Sequence, residues 1–181
     1  MNKFWNEKVK TIKPYVPGEQ PQDKKYIKLN TNESPYPPTL KVKEIINESD
    51  FDNLRLYPDP DVKKLKNEIS EYYKVDSKEI FIGNGSDEIL AFSYMAFFNQ
   101  GEKIYYPDIT YSFYSVYSDL FSLNEVKIPL TKDFKINIKD YKNLDSGMII
   151  ANPNAPTSIA LGKNEIEEII KDNQENIVIV D

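Results

Sequence analysis

The sequence predicts an α/β fold in which a mostly parallel sheet lies between two helical layers, and three observations lead to it. Short apolar runs recur at Ile80–Ile82, Lys103–Tyr106, Glu125–Ile128, Met148–Ala151 and Ile177–Val180. Helical patterns separate most of them, over Ser86–Phe98, Tyr111–Phe121 and Asn164–Lys171. The strand-to-strand interval, a little over roughly twenty residues, suits repeated βαβ crossovers. Because the runs are continuously apolar rather than alternating, both faces of the sheet should be covered. A three-layer αβα arrangement satisfies all three observations.

The elements before the sheet are punctuated by proline. Residues 1–25 hold Pro14, Pro17, Gly18 and Pro21, which break any long helix and leave an irregular arm. Tyr26–Leu29 alternates as a short strand would. Asn30–Pro38 is a loop stiffened by Pro35, Pro37 and Pro38, and a helix is expected over Leu40–Asn47. A second proline loop, Leu54–Pro60, precedes a helix that Asp59 or Asp61 is placed to cap. Val62, Leu65, Ile69 and Tyr72 recur there at helical spacing and are expected to form ordinary core. Between the third and fourth sheet strands, Asp140-Tyr141 reads as no more than a turn of helix. The division that follows is an arm over 1–30 and a sheet domain over 31–181.

Composition narrows the chemistry. The chain has 181 residues, 40% of them hydrophobic and 29% charged, enough for one real core and inconsistent with disorder. A net charge of −6 offers no basic stripe for nucleic acid. There is no cysteine and no histidine. That excludes disulfides, thiolate nucleophiles, Ser-His-Asp triads and the common zinc sites, and no metal site is expected. No apolar run approaches the roughly 18 residues of a membrane span, and the first residues lack the apolar core of a signal peptide. A cytoplasmic protein is expected.

The stretch with the most chemical content is Phe81-Ile82-Gly83-Asn84-Gly85-Ser86-Asp87-Glu88-Ile89-Leu90. It runs from a strand candidate through a glycine turn into a helix start. The first amides of a helix have no intrahelical partner and carry positive potential, so such a turn can hold a phosphate. Taken alone it is better read as an ordinary capped helix, with Ser86 or Asp87 as cap and Glu88 behind it. It matches neither G-x-x-x-x-G-K-[ST] nor G-x-G-x-x-G. Its neighbours tip the balance towards phosphate. In parallel sheets ligands bind at the carboxyl ends of the strands. Those ends carry Gly83–Asp87, Pro107–Tyr111, Asn152–Ser158 and Asp181.

Seven collinear segments then resemble one family. They are KPYVPG (13–18), KLNTNESPYPP (28–38), LRLYPDP (54–60), FIGNGSDEIL (81–90), YPDITYSFYSVY (106–117), NPNAPTS (152–158) and IVIVD (177–181). Together the chain resembles the N-terminal half of the fold-type I, class II aminotransferases dependent on pyridoxal phosphate, and within them the histidinol-phosphate group. The resemblance implies transfer of an amino group between glutamate and imidazole-acetol phosphate in histidine biosynthesis, by a homodimer. It also implies that the amides of Gly85, Ser86 and Asp87 hold the cofactor phosphate. Tyr111 would stack on the cofactor ring, and Asp181 would pair with its nitrogen. Tyr57 would reach the phosphate from the neighbouring subunit, and Tyr15 and Asn32 would lie on the substrate side.

Two departures accompany the resemblance. Many relatives carry an asparagine directly before Pro-Thr, contacting the cofactor's 3′ oxygen. Here that position is Ala155, with Ser158 for the usual glycine, so the contact is either lost or supplied from a shifted position by Asn154 or Asn152, with Asn154 favoured. The family's Schiff-base lysine lies beyond the position of Asp181. The 181 residues are therefore expected to be inactive alone, and marginally stable or self-associating. The alternatives on the same motifs are a threonine-phosphate-type decarboxylase and a non-catalytic module that binds a phosphate compound.

Overall fold

The sheet begins where sequence and β-propensity agree best. In the computed structural model, which describes residues 3–13, 15, 18–21, 23–24, 26–31, 33–48 and 51–181, β1 spans Lys103–Pro107, β2 Asn124–Ile128, β3 Met148–Ile150 and β4 Val178–Val180. All pairings are parallel and the strand order is β2-β1-β3-β4. The chain crosses from β1 to β2 in one direction. It then returns past β1 to build β3 and β4 on the other side. The reversal lies between β1 and β3, where an open α/β sheet leaves a crevice at its carboxyl ends.

Helices cover both faces. On one face α4 (Gly85–Phe97) and α5 (Phe113–Leu120) lie over the sheet. Leu90, Tyr94, Tyr114 and Tyr117 pack there with Ile104 and Tyr106 of β1 and Ile149 of β3. On the other face α6 (Lys163–Asp172) and the 3₁₀ turn Ile138–Tyr141 bring Ile169 and Tyr141 against Ile128, Met148 and Ile150. Alternate residues of each strand thus go to opposite faces, and both are apolar. This is the three-layer αβα fold that the spacing of the runs predicts. The turn at Asp140-Tyr141 also forms as expected.

Two compact units divide the chain, Met1–Tyr15 with Gly83–Asp181, and Val16–Ile82. The first contains the sheet. Its short α1 (Glu7–Thr11) is capped by Asn6, whose side chain accepts from Val9 N at 2.8 Å, and is tied to α5 by Lys8–Asp119 at 2.9 Å. The second unit holds α2 (Leu40–Asn47) and α3 (Lys63–Tyr73). Asp59 caps α3 as anticipated, accepting from Lys63 N at 2.9 Å and Asp61 N at 3.0 Å.

Three expectations fail in the elements outside the sheet. Ile80–Ile82 and Tyr26–Leu29 are extended in sequence pattern but form no strand. A strand is defined by a ladder, and among the described residues neither segment has a strand beside it, so apolar content alone does not make one. Nor is the stripe on α3 core: Leu65 and Tyr72 are 47% and 78% exposed. No described residue of the second unit is buried, so its apolar side chains close no core of their own.

One polar cluster under α5 makes a pH prediction. The hydroxyl of Tyr106, only 2% exposed, donates to Glu125, which also accepts from Ser115 at 2.8 Å and pairs with Lys127 at 3.3 Å. Burial pushes the Glu125 carboxyl up, but the bonds from Tyr106 and Ser115 and the Lys127 charge hold it below its usual value. A carboxyl depressed by folding stabilises above its unfolded pKa, and that contribution is lost as pH falls through the folded value. Glu125→Gln should therefore cost stability at pH 7 and cost progressively less in acid. Denaturant midpoints of both proteins across that range measure it, and a pH-independent difference contradicts it.

Candidate active site

The candidate anion cradle lies at the start of α4. Its N-cap, Asn84, gives no side-chain hydrogen bond to the helix. Instead Glu88 folds back, its Oε2 accepting from Asn84 N at 2.6 Å. The amides of Gly85, Ser86 and Asp87 thus begin the helix with no side-chain cap over them. Gly85 has φ +81, and a Cβ built on it would meet no atom within 4 Å, so the space before the helix is open. Glycine holds this left-handed backbone without strain.

A run of tyrosines joins that cradle to the end of β4. The Tyr111 hydroxyl donates to Asp87 Oδ1 at 3.1 Å, and the Tyr117 hydroxyl to the Asp87 carbonyl at 2.7 Å. The Tyr111 ring meets Tyr114 edge-on, with centroids 5.6 Å apart at 88°. The Tyr114 hydroxyl then donates to Asp181 Oδ2 at 2.6 Å. Burial first, and the facing carboxylate second, push both Tyr111 and Tyr114 well above the ordinary phenol value. Both therefore remain hydrogen-bond donors at any working pH.

Asp181 is held by backbone as well. Its N donates to Ile150 O at 3.0 Å and its O accepts from Asn152 N at 2.9 Å, so it extends the β3–β4 ladder by one residue. Oδ1 has no hydrogen bond or ion pair among the described residues, while Oδ2 takes Tyr114.

Asn154 ties the loops after β1 and β3 together at the point where the sheet reverses. It is 2% exposed. Its Nδ2 donates to Ile109 O at 2.9 Å and to Thr157 Oγ1 at 3.2 Å, and its Oδ1 accepts from Thr110 Oγ1 at 2.7 Å. Both amide hydrogens are thus used inside the protein. Asn152 is similarly engaged with Leu161, at 2.8 and 3.2 Å.

Of the residues singled out in the sequence, the structure brings Gly85, Ser86, Asp87, Tyr111 and Asp181 into one connected set. Tyr15 joins them: its ring lies 5.1 Å from Phe113, which stacks on Tyr111 at 6.0 Å and 19°. Tyr57 belongs to the other unit and is fully exposed. Asn32 lies outside the described residues. Sequence reading passed over Tyr114 and Tyr117. The signal was present, since Tyr111, Tyr114 and Tyr117 recur every three residues, which puts them along one side of a helical stretch.

Comparison with known proteins shows the family of the chain. The family described as aminotransferase class I and II matches residues 24–181. The histidinol-phosphate aminotransferase of Brachyspira hyodysenteriae is 67% identical over all of this chain and 51% of its own length. That of Clostridium beijerinckii is 52% identical over the same shares. The chain therefore spans about half the length of the curated relatives it matches. A solved histidinol-phosphate aminotransferase from Sinorhizobium meliloti, in complex with pyridoxal-5'-phosphate, aligns with a TM-score of 0.74. The alignment covers 83% of this chain and 42% of that one, at 18% identity, a likeness of fold. Among the described residues no helix is long and apolar enough to cross a membrane. With a family match over residues 24–181 and close relatives along its whole length, the chain belongs to the class I and II aminotransferases.

Proposed function

We propose that this chain carries the cofactor cradle of a pyridoxal-phosphate-dependent transferase. The reaction would move an amino group between glutamate and imidazole-acetol phosphate, as the names of its relatives suggest. The observation that carries the reading is the connected path Asp87–Tyr111–Tyr114–Asp181, with hydrogen bonds at both ends and an edge-on ring contact between. It joins an uncapped helix start, suited to a phosphate, to a carboxylate with one free oxygen, suited to a protonated ring nitrogen.

The donor set fits the cofactor. Amides of Gly85, Ser86 and Asp87 would bind the phosphate, and the open space in front of Gly85 leaves room for it. The Tyr111 face would hold the ring plane, fixed through its own bonds to Asp87 and Tyr114. Asp181 would keep the ring nitrogen protonated. Bound there, pyridoxal phosphate would supply an electron-accepting ring next to the substrate's amine-bearing carbon. Asn154 would serve by holding the two loops, since a donor bond to the cofactor's 3′ oxygen would break one it already makes. Tyr15 and Asn32 would lie on the substrate side. Tyr57 would act from the partner subunit of a cytoplasmic homodimer. Residues 1–30 would form an arm, and 31–181 the N-terminal part of the cofactor-binding domain.

Titrating the intact protein with pyridoxal phosphate tests this directly. A saturable absorbance change that inorganic phosphate competes away is expected, and a protein that extends this chain to the length of its relatives should also form glutamate from histidinol phosphate and 2-oxoglutarate. Saturable binding that phosphate leaves untouched would remove the cradle from the proposal. Binding without turnover would remove the reaction.

A further inference from the structure

The tyrosine behind the aspartate has an assignable task. Asp181 follows β4 in the ladder, and a carboxylate fixed there by its backbone alone would ordinarily sample several rotamers. Tyr114 is its one side-chain partner among the described residues, bonding a single oxygen at 2.6 Å. Tyr114 itself cannot wander: it is 0% exposed, and its ring is wedged edge-on against Tyr111 at 88° and Tyr106 at 63°. One buried ring therefore fixes both the stacking tyrosine and the carboxylate.

We propose that Tyr114 is a positioning residue, which binds Asp181 through Oδ2 so that Oδ1 is presented to the ring nitrogen of the cofactor. The proposal rests on the function proposed above and goes beyond it. Tyr114 touches neither cofactor nor substrate; it acts through Asp181. Its raised pKa, caused by burial and then by Asp181, keeps the hydroxyl a donor. A hydrogen bond to a charged group is stronger than a neutral one, and its loss is felt at the bond's other end.

The test uses two probes on the intact protein: pyridoxal phosphate and its analogue with carbon in place of the ring nitrogen. Tyr114→Phe should weaken pyridoxal phosphate about 10-fold, through the lost charged hydrogen bond, and leave the analogue's affinity unchanged. In an Asp181→Ala background the same substitution should have no further effect. Fluorotyrosine at position 114, which keeps the hydroxyl, should restore binding, and melting of the cofactor-free protein is followed in parallel. Equal weakening of both probes would make Tyr114 a packing residue and overturn the proposal, as would no weakening of either. The proposal alone fails if Asp181→Ala selectively weakens pyridoxal phosphate while Tyr114→Phe does not. A wild type that binds both probes alike overturns the assignment of Asp181 and, with it, that of Tyr114. If Tyr114→Phe does not fold, a series of fluorotyrosines of graded acidity at position 114 decides: affinity for pyridoxal phosphate that tracks the hydroxyl's acidity while the analogue's stays constant supports the proposal, and a flat series for both probes refutes it.

Discussion

In a protein that extends this chain to the length of its relatives, and under the function proposed above, replacing Asp181 with asparagine should lower kcat/KM for amino transfer by about 10²–10³-fold, the scale on which removal of one preorganised electrostatic partner is felt. The substitution is chosen because it changes charge and little else. The backbone of residue 181 is bonded to Ile150 and Asn152, so β4 keeps its register. The asparagine side-chain oxygen can still accept from Tyr114, so the side chain keeps its anchor. Under the function proposed above, the missing element is a negative charge beside the place the ring nitrogen would take. An opposite charge at close range shifts a pKa by about 1–3 units, and without it the nitrogen loses its proton near neutral pH. The phosphate cradle at α4 is untouched, so cofactor binding should weaken less than turnover does. Steady-state rates and a cofactor titration on the same variant measure the two effects. Loss of binding equal to the loss of rate would mean that Asp181 anchors the cofactor and does no more.

What made Asp181 legible in the sequence was its place after an apolar run. The same reasoning located the loops after β1 and β3. Position at the carboxyl end of a strand is a property of order along the chain, and order survives without coordinates. Ile80–Ile82 shows the limit. Its apolar content equals that of the true strands, but a strand also requires a neighbour, and pairing is decided by residues distant in sequence. The α3 stripe failed for a related reason: spacing tells which residues share a side, not whether anything covers that side. Tyr114 was harder still. Among so many tyrosines, its hydroxyl became distinctive only when α5 folded over β3 and β4 and set it against Asp181. Asn154 stands out in the sequence only through a motif that ends differently here, and as a cofactor contact. The sequence carried its position, whereas its bonds depend on how two loops meet.

That meeting of loops gives the second large effect. Asn154→Ala should destabilise the protein by about 2–4 kcal/mol, the usual cost of breaking a buried hydrogen-bond network. Three partners lose their bond at once: Ile109 O, the Thr110 hydroxyl and the Thr157 hydroxyl. The site is 2% exposed, so water cannot readily replace the amide. Asn154→Asp sharpens the point. It keeps an acceptor for Thr110 but turns an oxygen towards the Ile109 carbonyl, so at neutral pH it should be at least as costly as alanine. Denaturant midpoints give both numbers. The cofactor titration then separates two roles. If Asn154 holds the loops, cofactor affinity should fall in step with stability and recover under conditions that restore the fold, such as a stabilising osmolyte. If instead Asn154→Ala melts like the wild type while binding the cofactor poorly, the amide must reach the cofactor itself. In that case the bonds to Ile109 and Thr157 would have to open on binding. The geometry argues for the first outcome, because an asparagine has two amide hydrogens and both are already given to the protein.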